Sequence, residues 1–236
     1  MIKEAIILAG GLGTRLRAAI PDMPKPMAPI GGKPFLWYVL EYLHQSGIRK
    51  VVISVGHLHE TIINQFGNKY KNTRIDYAVE TEPLGTGGGI KLALSYTRDA
   101  EVAIINGDTF FPVPLAEMYD YHRKMKASLT IALKPMDDYE RYGSVVVEQG
   151  RILRFEEKKP TEFGYINGGI YIARRHLFKE TKLDAKFSFE TDFLEKESNR
   201  MIFAGFVCDQ YFIDIGIPED YQRAINELPL WILYGH

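Results

Sequence analysis

Apolar and polar positions follow two rhythms along the first 135 residues. Continuous runs of β-branched and aliphatic residues at 2–9, 50–56, 74–80, 101–107 and 127–135 predict strands buried on both faces. Between them, apolar residues recur three or four positions apart. This spacing predicts helices over 35–45, 59–66 and 115–125, with Gly47 and Gly67 as stops. The stretch "TGGGIKLALSYT" is read as a glycine loop that continues as a helix. Strand–helix alternation of this kind predicts a Rossmann-like α/β fold, three layers around a mostly parallel sheet. Beyond Pro135 the rhythm changes. Val145–Glu148 and Ile152–Glu156 predict a hairpin turned at Gln149-Gly150. "GYINGGIYIAR" predicts a strand with a glycine pair inside it, and "SFETDFLEKES" a helix capped by Ser188. "MIFAGFVC" and "YFIDIG" predict strands, and "PEDYQRAINEL" a final helix opened by Pro218. No linker or repeat divides the chain, so one domain over 1–236 is expected, its second half an added β-layer.

Composition narrows the functions available. A formal net charge of −1 gives no global basic field, so nucleic acid is not an expected partner and any anion site must be local. The one cysteine, Cys208, excludes an internal disulfide and a cysteine-rich zinc site. No apolar run reaches the roughly 18 residues of a membrane helix, so no membrane contact is expected. The opening "MIKEAIILAGG" has no cationic leader before a long apolar stretch. A cytoplasmic protein is expected.

Chemistry concentrates where the first strand ends. Gly10, Gly11 and Gly13 leave the backbone free to turn and its N–H groups free to face an anion. The spacing fits neither a P-loop nor a dinucleotide fingerprint, because Arg15-Leu16 stands where Lys-Ser/Thr or a third glycine belongs. Arg15 offers a planar fork of donors suited to phosphate oxygens. Lys25 stands between Pro24 and Pro26, whose rings fix the backbone from which the long side chain springs. Two carboxylates, Asp108 and Asp214, each follow an apolar run. Each alone fits a turn or cap as well as a ligand.

These pieces belong to longer stretches. "LAGGLGTRL…PKPMAPIGGKP" resembles the signature of the sugar-nucleotidyltransferases, the nucleoside-diphosphate-sugar pyrophosphorylases. "EPLGTGGG", "NGD", "RYGSVVV", "FEEK", "INGGIY", "SFETDFL" and "DIGIPEDY" follow in the family's order, so the resemblance spans nearly the whole chain. It implies a nucleotidyltransferase fold of GT-A-like type and the reaction of a nucleoside triphosphate with a sugar 1-phosphate, giving NDP-sugar and pyrophosphate. Residues 1–135 would hold the nucleotide and 136–236 the sugar phosphate. Leu8, Ala9, Gly10, Gly11, Gly13, Thr14, Glu80, Gly85 and Asp108 would line the nucleotide, with Arg15 and Lys25 as the catalytic cations. Gly143, Glu157, Lys158, Asn167, Gly168 and Glu190 would hold the sugar phosphate. Asp108 and Asp214 would ligate Mg²⁺.

The reaction itself favours this reading. Two unit charges ~4 Å apart repel by about 4 kcal/mol at an effective dielectric of ~20, so two phosphorylated reactants need cations between them. Mg²⁺ is suited to one or two carboxylates plus substrate phosphates. The sugar phosphate attacks the α-phosphorus directly, so no nucleophilic side chain is required. Glu80 stands where pyrimidine-selective enzymes often have glutamine. Guanine presents two adjacent donors and an ionised carboxylate only accepts, so GTP is favoured. Within the family, the short form, "LGTGGG" and "INGGIY" most resemble the guanylyltransferases for D-glycero-α-D-manno-heptose 1-phosphate. Mannose 1-phosphate guanylyltransferases and short uridylyltransferases come next. The β-helix tail of bifunctional members does not follow, so no acetyltransferase activity is expected. A homo-oligomer is left open.

Departures from the family pattern, Ala18, Ile20, Lys159 before Pro160, and Ile217, remove no charged group. An NDP-sugar-dependent glycosyltransferase would usually show Asp-x-Asp where "NGDTF" has one aspartate. A silent nucleotide-binding regulatory subunit would be expected to lose Arg15, Lys25, Asp108, Lys158 or Asp214, and all stand. His57 and His59 have no third ligand near in sequence and are read as solvated, and Cys208 as core.

Overall fold

The computed structural model describes residues 1–11 and 23–234. β2 (Pro29–Ile30) and β3 (Lys33–Pro34) form an antiparallel pair of their own, and ten strands form one mixed sheet. Its parallel centre is built from β1 (Glu4–Leu8), β4 (Lys50–Val55), β6 (Thr73–Val79) and β7 (Glu101–Asn106) in the order β7-β1-β4-β6. Ile6 pairs with Val52 on one side and Ile104 on the other. β5 (Lys69–Tyr70) ends the sheet beyond β6. The later strands extend this same sheet past β7. They are β9 (Leu129–Tyr139), β10 (Gly143–Glu148), β11 (Arg151–Lys158), β12 (Thr161–Arg174) and β13 (Phe203–Val207), in the order β10-β11-β13-β9-β12-β7. The long β12 runs antiparallel to both β7 and β9 and so joins the two halves.

Alternation along β1 divides the core. Ala5 and Ile7 face a cluster with Val51, Ile53, Ala103 and Ile105, while Ile6 faces another with Val52, Val102 and Ile104. The first cluster is closed by Leu36, Val39 and Leu43 of α1 (Phe35–Gln45), by Met118 of α4 (Leu115–Lys124), and by Ala224 and Leu228 of α6 (Pro218–Tyr234). The second is closed by Ile90, Ala93 and Leu94 of α3 (Gly85–Leu94) and by Phe189 and Phe193. The small α2 (His59–Phe66) contributes Ile62 to the first face. Gln149 and Gly150 both take positive φ, as the two-residue turn between β10 and β11 requires.

The later strands, expected as an added β-layer, join the central sheet, and three further elements also depart from the sequence expectations. Helix α3 begins at Gly85, so the glycines expected in a loop lie within it. Glycine costs roughly 1 kcal/mol per helical position. Contact overrides that cost: a Cβ at Gly87 would fall 2.1 Å from the Phe187 ring, and one at Gly88 2.6 Å from the Ala185 carbonyl. The segment after Ser188 forms a wide π-helical turn, Phe189–Leu194, before the short α5 (Glu195–Glu197). Ser188 caps it as expected, accepting from the Thr191 N–H at 3.2 Å. Helix α6 runs past Leu228 to Tyr234 in spite of Pro229. The proline lacks the N–H for one helical bond, but its ring sits against Gly31, and Trp231 packs edge-on against Phe110 with centroids 4.8 Å apart. No helix among the described residues is long and apolar enough to cross a membrane.

His122, on α4, is buried, with Nδ1 2.8 Å from Thr130 Oγ1 and no partner for Nε2 among the described residues. Burial pushes its pKa from 6.5 down to about 4; Glu101 opposes this, and Arg174 and Arg123 add to it. The unfolded chain therefore binds the proton between these values and the folded chain does not. The stability held above pH 6.5 is lost as pH falls towards 4. His122→Gln is expected to melt with a shallower fall in Tm between pH 6.5 and 4.5 than the parent chain. Equal slopes would contradict this assignment.

Candidate active site

The carboxyl ends of β1, β4, β6 and β7 open onto a cavity of about 510 Å³, which is where open α/β sheets place ligands. Leu8, Ala9, Gly10 and Gly11 form one wall directly after β1. Gly13, Thr14 and Arg15, the rest of the expected phosphate loop, lie outside the described residues. Lys25 comes from a single turn, Lys25–Met27, anchored by buried Pro24, Pro26, Met27 and Ala28. Bonds from the Met27 N–H to the Pro24 carbonyl at 2.8 Å and from the Ala28 N–H to the Lys25 carbonyl at 2.9 Å close it. The stiff origin expected for this lysine is present, and its Nζ reaches Asp108 Oδ2 at 3.2 Å.

Glu80 stands at the end of β6 on the cavity wall. Its Oε2 accepts from the Leu84 N–H at 3.0 Å and its Oε1 from Ser54 Oγ at 3.3 Å. The carboxylate is wedged between two glycines. A Cβ at Gly10 would fall 2.8 Å from Oε1 and one at Gly89 2.9 Å from it. An ionised carboxylate has about four acceptor positions, so these two bonds leave about two unused. Glu82, the less favoured candidate, is exposed. Gly85 and Thr86 line the same cavity at the start of α3.

Asp108 and Asp214 meet through a two-residue antiparallel pair. β8 (Thr109–Phe110) and β14 (Ile213–Asp214) put Asp214 opposite Thr109, and the Ile215 N–H donates to the Asp108 carbonyl at 3.0 Å. β14 is shorter than the expected strand, but it is the part that sets this register. Burial, then the neighbouring Asp108 charge, pushes the Asp214 carboxyl above the ordinary carboxylate range. The Gly216 N–H, donating at 2.8 Å, and the charges of Lys25 and Arg141 pull it back.

Asp214 also borders a second cavity of about 440 Å³, with Lys158, Gly143 and Asn167. Asn167 shapes a bulge in β12. Its Oδ1 accepts from the Gly169 N–H at 3.0 Å and its Nδ2 donates to the Tyr171 hydroxyl at 2.9 Å, leaving one further donor and one acceptor. Three residues expected beside the sugar phosphate sit differently. Glu190 lines the larger cavity, accepting from Thr86 Oγ1 at 2.8 Å across from α3. Glu157 is exposed on β11 and outside the lining of the second cavity. The space that Gly168 saves is filled by the Phe111 ring, which a Cβ would meet at 2.5 Å.

Sequence reasoning passed over Arg141 and Tyr142, although "RYGSVVV" was a recognised stretch. Both line the second cavity. Arg141 is ion-paired with Asp220 at the start of α6 and lies 5.3 Å from the centre of the Tyr142 ring. Asp220 stands 79 residues from Arg141 in the chain, so no local spacing signals the pair. Ser54, which meets Glu80, gave no signal either. His57 is exposed and Cys208 is buried and free, as expected.

Comparison with known proteins identifies relatives over nearly the full chain. The D-glycero-alpha-D-manno-heptose 1-phosphate guanylyltransferase of Aneurinibacillus thermoaerophilus is 53% identical over 97% of this chain and 100% of its own length. The protein of the same name from Campylobacter jejuni is 45% identical over 94% and 98%. The crystal structure of HddC from Yersinia pseudotuberculosis is 38% identical, with a TM-score of 0.86 over 96% of this chain and 100% of that one. HddC has also been crystallised in complex with GMP-PN. Residues 4–229 match the family model described as nucleotidyl transferase, and the chain belongs to that family.

Proposed function

We propose that this chain transfers GMP from GTP to D-glycero-α-D-manno-heptose 1-phosphate, releasing pyrophosphate. One observation carries the reading. Two cavities with different linings each take one of a neighbouring pair of carboxylates, Asp108 in the wall of the larger and Asp214 in that of the smaller. The larger takes the nucleotide and the smaller the sugar phosphate, within a single domain whose one sheet runs through both halves. The names of the full-length relatives support this choice of nucleotide and sugar.

The chemistry is an in-line displacement. A phosphate oxygen of the sugar phosphate bonds to the α-phosphorus of GTP as the bond from that phosphorus to the bridging oxygen of pyrophosphate breaks. Lys25, and Arg15, which follows β1 in the sequence, hold the triphosphate oxygens. Lys158 faces the sugar phosphate, and Arg141, fixed by Asp220, brings a second cation to the same cavity. Asn167 keeps one donor and one acceptor for a sugar hydroxyl. Catalysis then rests on positioning and on fixed charge. Asp108 and Asp214 are hard oxygen donors, one in the wall of each cavity, a donor set that suits Mg²⁺ with substrate phosphates as its other ligands. The ion supplies charge neutralisation between the two phosphorylated reactants.

Glu80 supports guanine. Its two remaining acceptor positions suit the adjacent N1–H and N2 amino donors of that base, and Gly10 and Gly89 leave the carboxylate its seat. Pyrophosphate release, measured across four nucleoside triphosphates and several sugar 1-phosphates with Mg²⁺, is expected to be fastest with GTP and the manno-configured heptose phosphate. Faster release with another pairing would overturn the assignment. Glu80→Gln is expected to lower the GTP-to-UTP ratio of kcat/KM by roughly tenfold or more, because a bond to a charged acceptor is exchanged for one to an amide. An unchanged ratio would remove Glu80 from base selection.

A further inference from the structure

Helix α3 runs between two cavities. Its first turns line the larger site. Its last turn, with the segment after β12, lines a separate cavity of about 270 Å³. Four residues at this second end carry positive charge or an ionisable ring: Lys91, Arg175, His176 and Lys179. Among the described residues no carboxylate lines the cavity, and none of the four makes an ion pair. In a chain with a net charge of −1, such a cluster without acidic partners is a local departure from the average surface.

Arg175 makes the cluster more than a solvated patch. One terminal nitrogen donates to the Thr97 carbonyl at 3.3 Å and the other to His176 Nε2 at 3.3 Å. A guanidinium can only donate, so His176 Nε2 is the acceptor in this contact. A further donor, Arg175 Nε, is buried and has no partner among the described residues. Held by the bonds to Thr97 and His176, Arg175 sets a fixed cation in the cavity wall. Apart from the Arg175 bond to Thr97, the end of α3 makes no hydrogen bond to these cations among the described residues. The Leu92 carbonyl accepts from the Ser95 N–H at 3.1 Å and from Ser95 Oγ at 2.6 Å, and the Leu94 carbonyl from the Thr97 N–H at 3.1 Å and from Thr97 Oγ1 at 2.8 Å. The helix terminus is thus closed by its own N–H and hydroxyl groups. Leu94 and Phe178 give the cavity an apolar side.

We propose that this cavity is a second anion site, which takes a small molecule bearing a phosphoryl group. The anionic end lies against Lys91, Arg175 and Lys179, and any organic part lies over Leu94 and Phe178. The site is independent of the reaction proposed for the larger cavities. Its ligand comes from one of two sources, free phosphate or a phosphate monoester.

Calorimetric titration with inorganic phosphate tests this, with the nucleotide cavity filled by a non-hydrolysable GTP analogue. The parent chain is compared with the double variant Lys91→Ser, Lys179→Ser, whose two substituted side chains are exposed. The double variant is expected to lose one phosphate-binding event, or to weaken it by roughly ten- to thirtyfold, while its KM for GTP is unchanged. A parallel titration with a hexose 6-phosphate separates the sources. Tighter binding of the ester than of phosphate identifies a phosphorylated metabolite, and equal binding identifies free phosphate. Identical isotherms for parent and variant, with either probe, would overturn the proposal. So would a lower Tm in the variant with no change in affinity, because the lysines would then serve only the negative end of α3.

Discussion

Asp108 and Asp214 repel each other, and the molecule holds them together nonetheless. They stand far apart in sequence, one after the fourth strand of the parallel core and one just before the last helix. A two-residue antiparallel pair and the bond from the Ile215 N–H to the Asp108 carbonyl set their separation. Backbone hydrogen bonds are indifferent to side-chain charge, so they can fix a like-charged pair that the side chains alone would not assemble. Phe110 and Ile213, both fully buried, hold the pair in place, and Lys25 offsets part of its charge. The rest of the site is arranged around this point. Ala9 to Gly11 after β1 and the start of α3 bound one side of it, and the bulge of β12 and the end of β11 bound the other.

The glycines of the larger cavity show how packing and recognition share the same residues. Gly10 and Gly89 belong to segments 79 positions apart in the numbering of the chain, yet both exist as glycine around one carboxylate. Side chains at either position would push Glu80 from the place where Leu84 and Ser54 hold it. Gly87 and Gly88 instead admit the Phe187 ring and the Ala185 carbonyl, which bring the π-helical turn and Glu190 up against α3. The helix accepts poor intrinsic propensity to gain that contact. A loop reading of "TGGG" follows the propensity and misses the contact, because Phe187 lies a hundred residues further on.

That distinction describes what the sequence made legible. Local signals were sound: the continuous apolar strands, the helix over 35–45, the Gln149-Gly150 turn, the Ser188 cap and the proline-framed Lys25 all appear in the fold. Signature stretches drew attention to Asp108, Asp214, Glu80, Lys158 and Asn167, and the fold brings these to the walls of two cavities. What was not legible depends on pairings across the chain. The placement of Glu190 beside Thr86, the displacement of Glu157, the Arg141–Asp220 pair and the passage of α6 through Pro229 are each decided by a partner that no local pattern announces. The joining of later strands into one sheet belongs to the same class, since β12 must run antiparallel to both neighbours before its role can be read.

The central claim is that the two aspartates act as one unit. It is tested most directly by a double-mutant cycle on turnover with Asp108→Asn, Asp214→Asn and the combined variant. If the pair works together, each single change removes nearly as much rate as the double, and the effects do not add. Near-normal turnover in either single variant, or losses that simply sum, would contradict the account.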